Sequence, residues 1–184
     1  MTTQEKNGIT EGVIWKQLLI FFFPILVGSF FQQLYNTVDS VIVGQFVGKE
    51  ALSSVGGSAG QIISLVVGFF TGVSTGATVI ISQYFGAGKK EEIEESLHTA
   101  YAFALVGGLV LGIAGIVFAP QMLRWMNTPE ELIAESVLYV RVYFSGLIFI
   151  FIYNMGAAIL RAVGDSKRPL YYLIVCSVVN IILN

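Results

Sequence analysis

Asp39 lies in the segment NTVDSVIVGQ, at the end of a stretch that carries no charge from Gln17 to Val38. Ser29, Gln32, Gln33, Asn36 and Ser40 accompany it at spacings of three and four, which puts them on one face of a helix. The other face carries Phe30, Leu34, Val38 and Val41. Toward the C-terminal end, Ser177, Asn180 and Asn184 repeat the three-and-four spacing, and Asn154 follows Tyr153 inside the apolar segment FIFIYNMG. A carboxylate surrounded by hydroxyls and amides can do one of two things in an apolar setting. It can take up and release a proton, because desolvation raises its pKa, or it can hold a hard cation such as Na+ among oxygen donors. A neutral, hydrogen-bonding link between helices is the alternative reading of the same residues.

Other chemistries lack their residues. His98, the one histidine, is not placed to pair with a Ser or Cys nucleophile, no metal-ligand cluster is seen, and the one cysteine, Cys176, excludes an intramolecular disulfide. Both residues suit structural roles, His98 at the entry to a helix and Cys176 as a small packing residue. GAGKK lacks the spacing and the following Ser or Thr of a phosphate-binding loop. With a net charge of −2 and no basic patch, nothing points to nucleic acid. The expectation is a protein that is not an enzyme and has no cofactor.

The elements that position these residues follow from composition. Of 184 residues, 55% are hydrophobic and 12% charged, about half the charge of a typical soluble domain. Gln17–Val38, Ala51–Gly88, Ser96–Leu123 (apart from His98), Val142–Leu160 and Pro169–Asn184 are all uncharged. About 20 apolar residues cross a bilayer as a helix, so four of these runs are long enough and the fifth is cut short. The fold class expected is an all-α polytopic membrane protein: a cytoplasmic segment at 1–16, then helices at about 17–44, 51–84, 95–120, 129–162 and 169–184. Lys and Arg collect at cytoplasmic helix ends. A cytoplasmic N-terminus puts Lys6, Lys16, Lys89, Lys90, Arg161, Lys167 and Arg168 inside, against Lys49 and Arg124 outside. Glu91, Glu92, Glu94 and Glu95 read as a solvated face at the same end.

Local signals refine this outline. Gly86 and Gly88 end the second helix, and Pro169 opens the fifth. Thr128-Pro129-Glu130-Glu131 reads as an N-cap, a proline at the first helical position and a capping-box glutamate. Gly56, Gly60, Ser64, Gly68, Gly72 and Gly76 recur every four residues, a small-residue stripe suited to close helix packing or to sliding against a neighbour. Pro24, fifteen positions before Asp39, removes one backbone hydrogen bond and should kink the first helix. The kink is either static or dependent on the charge of Asp39. Arg141, the one cation placed within a span, is expected to be structural, reaching to the interface near the outer end of its helix.

Several segments in order resemble the multidrug and toxic compound extrusion (MATE) family of transporters. They are FFFPILVGSFFQQLYNTVDSVIVGQFVG, ISQYFGAGKKEE, LRAVGDSKRP and VVNIILN, and the likeness runs through nearly the whole chain from Trp15. The resemblance implies a protein of twelve helices in two six-helix lobes, of which this chain would be most of the N-terminal lobe, stopping inside the fifth helix without its second lobe. It implies export of amphipathic, often cationic compounds across the plasma membrane, in exchange for H+ or Na+, by alternating access. Asp39, Asn180 and Asn184 would then form the coupling site, with Na+ bound at Asp39 if Na+ is the ion, and Gln32, Tyr35, Asn36 and Asn154 would line the substrate cavity. Many relatives have a carboxylate where this chain has Asn184; the amide halves the site's negative charge and favours a single titrating proton. The partners implied are small amphipathic molecules, the bilayer and the chain's own second lobe.

Two other readings compete. A flippase for a lipid-linked or polysaccharide precursor would need clustered intramembrane Arg or Lys to hold phosphates. A non-transporting membrane scaffold would use the small-residue stripe but would have no need of aligned polar faces.

Overall fold

The structure is a computed structural model that describes residues 13–47, 53 and 55–183. Lys6, Lys49 and Asn184 lie outside those residues, as do most of the 1–16 segment and the first residues of the second expected helix. The described residues form α1 (Ile14–Ile42), which runs on into a π-helical turn (Val43–Val47), then α2 (Ser58–Gly86), α3 (Lys90–Trp125), α4 (Glu130–Ser145), α5 (Leu147–Ala162) and α6 (Lys167–Leu183). Three of them, α1 with its π turn, α2 and α3, are each long and apolar enough to cross a membrane, and α4 with α5 makes a fourth such span. Large apolar side chains such as Leu65, Phe149 and Val117 face outward, as a lipid-facing surface requires.

The fourth span is not the single helix expected over 129–162. It breaks after Ser145, where α4 and α5 meet at 49°. Ser-Gly pairs are a recognised cause of sharp bends. Here the Ser145 hydroxyl turns back to donate to the Val142 carbonyl at 2.6 Å, and Gly146 follows as the shared terminus of both helices.

Three helices end the same way. In each, a residue in the left-handed region is followed by an N–H that bonds back five residues: Gly88 (φ 70°) with Lys89 to Tyr84, Asn127 (φ 53°) with Thr128 to Leu123, and Gly164 (φ 91°) with Asp165 to Leu160. These are Schellman turns, which satisfy carbonyls that a helix end leaves unpaired. They also correct two expected starts. Thr128 is spent on closing α3: Pro129 holds the cap position of α4 with no side-chain cap bond, and the Thr128 hydroxyl is buried without a hydrogen-bond partner among the described residues. The last helix starts at Lys167 rather than Pro169, because Asp165 Oδ1 accepts the N–H groups of Lys167 and Arg168, both at 3.1 Å. At the start of α3, its own backbone N–H and the Lys89 ammonium hold the Glu92 carboxyl below its ordinary range. That contribution is present at neutral pH and fades as acid protonates the group.

The core is built on α3, not on the glycine stripe of α2. A Cβ added to Gly56, Gly68, Gly72 or Gly76 would meet nothing within 4 Å, so at these four positions the stripe packs against no neighbour among the described residues. The buried small residues are instead Ala100, Ala104, Gly108, Gly112, Gly115 and Ala119. A Cβ on Gly108 would lie 3.0 Å from the Ile148 Cα, and one on Gly115 would fall inside the Phe144 ring. Both halves of the bent fourth span thereby press onto α3. Behind this contact Phe70 of α2 stacks on Phe151 of α5, ring centroids 3.4 Å apart. Lipid tails are as apolar as these side chains, so the association rests on contact density rather than on escape from water.

One helix-breaking residue in α3 is compensated by the intramembrane cation. Pro120 has no N–H to give the Ile116 carbonyl four residues back. Arg141 Nε donates to that carbonyl from α4, at 3.2 Å.

This packing can be tested at two points. Gly115→Ala should lower stability by about 1–3 kcal/mol through overpacking, whereas Gly72→Ala on the open stripe should change it little. Thermal unfolding of the detergent-solubilised protein would measure both, and equal effects would refute the assignment of the seam to α3. Arg141→Met should cost about 1.5–3 kcal/mol for a charged hydrogen bond lost. The loss should shrink in a Pro120→Ala background, where the substituted alanine supplies the missing N–H; an undiminished loss would mean that Arg141 acts elsewhere.

Candidate functional site

The apolar core draws its side chains from α2 to α5. α1 stands apart from it, paired with α6, and buries only Pro24 and Gly28. A Cβ on Gly28 would sit 3.4 Å from Leu173 and 3.6 Å from Leu170, which marks the contact as close but unstrained. α1 passes through Pro24 without a break. Because α1 leans on the core without interleaving with it, polar cavities remain along the join, and the candidate residues fall into two of them.

The first lies toward the end where α1 stops and α2 and α4 begin. It has a volume of about 650 Å³ and is lined by Asn36, Asp39 and Ser40 of α1, Gly60, Gln61 and Ser64 of α2, and Tyr139 of α4. Asp39 is partly buried in its wall. One turn later α1 widens into the π turn, whose first N–H, that of Val43, bonds to Asp39 and Ser40 carbonyls. π turns inside helices recur at functional sites. Ser40 gives its hydroxyl proton to the Asn36 carbonyl at 2.9 Å, so its oxygen offers lone pairs to the cavity.

The second lies toward the basic end, where α1 begins and α5 turns into α6. It is smaller, about 100 Å³, and brings Pro24, Ser29 and Gln32 of α1 together with Tyr153, Asn154 and Arg161 of α5. The Asn154 amide donates to the Ile150 carbonyl at 2.9 Å, which leaves its Oδ1 as an acceptor. Gln32 and Asn154 are thus brought together, while Asn36 joins Asp39 in the other cavity. Tyr35 is partly buried between the two levels of α1. Asn180 is partly buried on α6 and is not among the described residues lining the Asp39 cavity; Asn184 lies outside the described residues.

Sequence reasoning overlooked Tyr139 and Gln61, which face Asp39 across the cavity, and the hydroxyl row Thr71, Ser74, Thr75 and Thr78 on α2. The row was detectable, since it keeps the same three-and-four spacing as the polar face of α1. Tyr139 carried no comparable sign. His98 Nδ1 lies 2.9 Å from the Glu94 carbonyl in a local helical contact.

These features define an α-helical membrane lobe with partly open cavities, lined in part by polar residues, between a helix pair and a close-packed core. The chain belongs to the MATE family: the family model MatE matches residues 24–184. It is 33% identical over its full length to the probable multidrug resistance protein YoeA of Bacillus subtilis (strain 168), and 34% identical, over 95% of the chain, to the probable multidrug resistance protein YpnP of the same organism. In each case it spans 39% of the relative's length. The fold superposes on a crystal structure of MATE in complex with MaD3S with a TM-score of 0.90 at 25% identity, covering 99% of this chain and 40% of that one. The chain's fold therefore corresponds to the N-lobe of a MATE transporter, spanning about 40% of the length of the proteins it matches.

If the Asp39 cavity holds water, a cysteine placed at Ser64 in a Cys176→Ser background should react with a hydrophilic maleimide faster than one at Val110 on the outer face of α3. Equal rates in a bilayer would mean that the cavity is closed to water.

Proposed function

We propose that this chain forms the N-lobe of a secondary active exporter that moves amphipathic, often cationic compounds out of the cell in exchange for H+ or Na+ by alternating access. The observation that carries the reading is the placement of Asp39 on the wall of a large cavity, opposite Tyr139 and Gln61 and one turn before the helix widens. A carboxylate there meets the cation or proton that enters the cavity, and the oxygens of Asn36 and Ser40 assist it. Protonation removes a charge from α1, the helix with the fewest side chains keyed into the core, so it can alter how α1 sits; Pro24, where the backbone lacks one hydrogen bond, is the place for that change. Asn180 of α6, together with Asn184, completes the coupling site in this reading, and Gln32 and Asn154 contact the transported molecule at the other level.

In this reading the basic end, with Lys16, Lys89, Lys90, Arg161, Lys167 and Arg168, faces the cytoplasm of a plasma membrane protein. The lobe binds and transports rather than catalyses. The amide at Asn184 favours H+ as the coupling ion, because one carboxylate suffices for a proton and holds Na+ weakly.

The test is efflux of a fluorescent organic cation by the protein that contains this chain, under an imposed proton or sodium gradient. Asp39→Asn should reduce efflux to the rate seen without a gradient, while Asp165→Asn at the basic-end turn should leave the coupling intact. Gradient-driven efflux that persists in Asp39→Asn would remove Asp39 from the mechanism.

A further inference from the structure

Arg161, one residue from the end of α5, is partly buried where α1, α2, α5 and α6 converge. It lines the small cavity described above and also a second one, of about 230 Å³, whose opposite wall is the hydroxyl row Thr71, Ser74, Thr75 and Thr78 of α2. Among the described residues no carboxylate lines either cavity, and the ion pairs formed by the other cations are Lys89–Glu92 and Arg168–Asp165. A guanidinium partly buried at a helix end is better placed with a counter-charge than without one. Among the described residues, none that would neutralise it lines either cavity.

The hydroxyls differ in a way that shows what the cavity lacks. Thr71, Thr75 and Thr78 donate their protons to carbonyls one turn back, at 2.9, 2.8 and 2.9 Å, and Thr78 also reaches the Ala158 carbonyl of α5 at 3.3 Å. Ser74, only 6% exposed, makes no side-chain hydrogen bond among the described residues, although it lines the same cavity. The site therefore presents a planar fork of N–H donors and one uncommitted O–H donor. Facing them are acceptors, the threonine oxygens and Asn154 Oδ1.

From this we infer that the cavity between α2 and α5 is a binding site for a singly charged phosphate group that carries hydroxyl donors. The guanidinium takes two phosphate oxygens side by side and Ser74 donates to a third. The hydroxyls of the ligand donate to Thr75 Oγ1 and Asn154 Oδ1, which a fully deprotonated, donor-free anion could not do. Dihydrogen phosphate has this pattern, and so does the head group of phosphatidylglycerol, whose glycerol supplies the hydroxyls. Phe21 of α1 forms part of the same wall, so occupancy places an anion against the helix that carries Asp39.

The experiment uses the protein that contains this chain, purified in detergent and in nanodiscs of phosphatidylcholine with or without phosphatidylglycerol. Unfolding temperature is measured in sodium phosphate against sodium chloride at equal ionic strength, and retained lipid is counted by native mass spectrometry. A rise in phosphate alone supports inorganic phosphate as the ligand; retained phosphatidylglycerol with a matching rise in nanodiscs supports the head group. In either case Ser74→Ala should weaken binding about tenfold, and Arg161→Lys, which keeps the charge but loses the fork, should weaken it at least as much. Should Arg161→Lys fail to fold, Ser74→Ala alone decides. No response to either ligand, or a response that Ser74→Ala leaves unchanged, overturns the inference.

Discussion

The close approach of the fourth span to α3 is the contact on which the rest of the lobe depends. Where Gly115 has no side chain, the Phe144 ring enters, and where Gly108 has none, the backbone of α5 at Ile148 comes within contact distance. In lipid there is no water to drive apolar surfaces together, so a helix pair that cannot come close gains little. The bend at Gly146 belongs to the same constraint, since it presents both α4 and α5 to one row of small residues. Phe70 and Phe151 then stack behind that row and bring α2 into the core.

Once α2 to α5 are locked in this way, the polar cavities fall at the edge of the core. The α1–α6 pair lies against a finished surface. Its join to that surface holds the Asp39 cavity toward one end and the Arg161 cavities toward the other. A negative group and a positive group are thus held on the same helix boundary but at different depths, each among hydroxyls and amides.

Much of this was legible in the sequence. Uncharged runs of membrane-spanning length gave the helices, and the polar residues of α1 at three-and-four spacing pointed to a cavity wall. The segments around Pro24, Asp39 and Gly164-Asp165 were enough for the family. What stayed hidden depends on which neighbour a residue meets. The glycines of α2 and the small residues of α3 look equally suited to packing, and only the partner's side chains distinguish them: Phe144 and Phe151 face α3, while nothing among the described residues comes within 4 Å of a Cβ on Gly68 or Gly72. Thr128 has the sequence of an N-cap, yet the preceding Asn127 takes the left-handed conformation and draws the Thr128 N–H into closing α3. The link between Arg141 and Pro120 joins residues on different helices, so no local pattern announces it. Tyr139 likewise reaches Asp39 only through the packing of α4.

The two residues that α1 buries are a proline and a glycine, and neither has a side chain that interlocks with its partner. A helix keyed by long side chains must unmesh them before it can move, at the cost of many contacts at once. A helix seated on a ring and a bare backbone has almost nothing to unmesh. In the proposed mechanism, Pro24 and Gly28 would serve as a pivot against Leu170 and Leu173. Fifteen residues of helix, roughly 22 Å of lever at 1.5 Å per residue, separate that pivot from Asp39, so a small rotation at the proline becomes a displacement of several ångströms at the carboxylate.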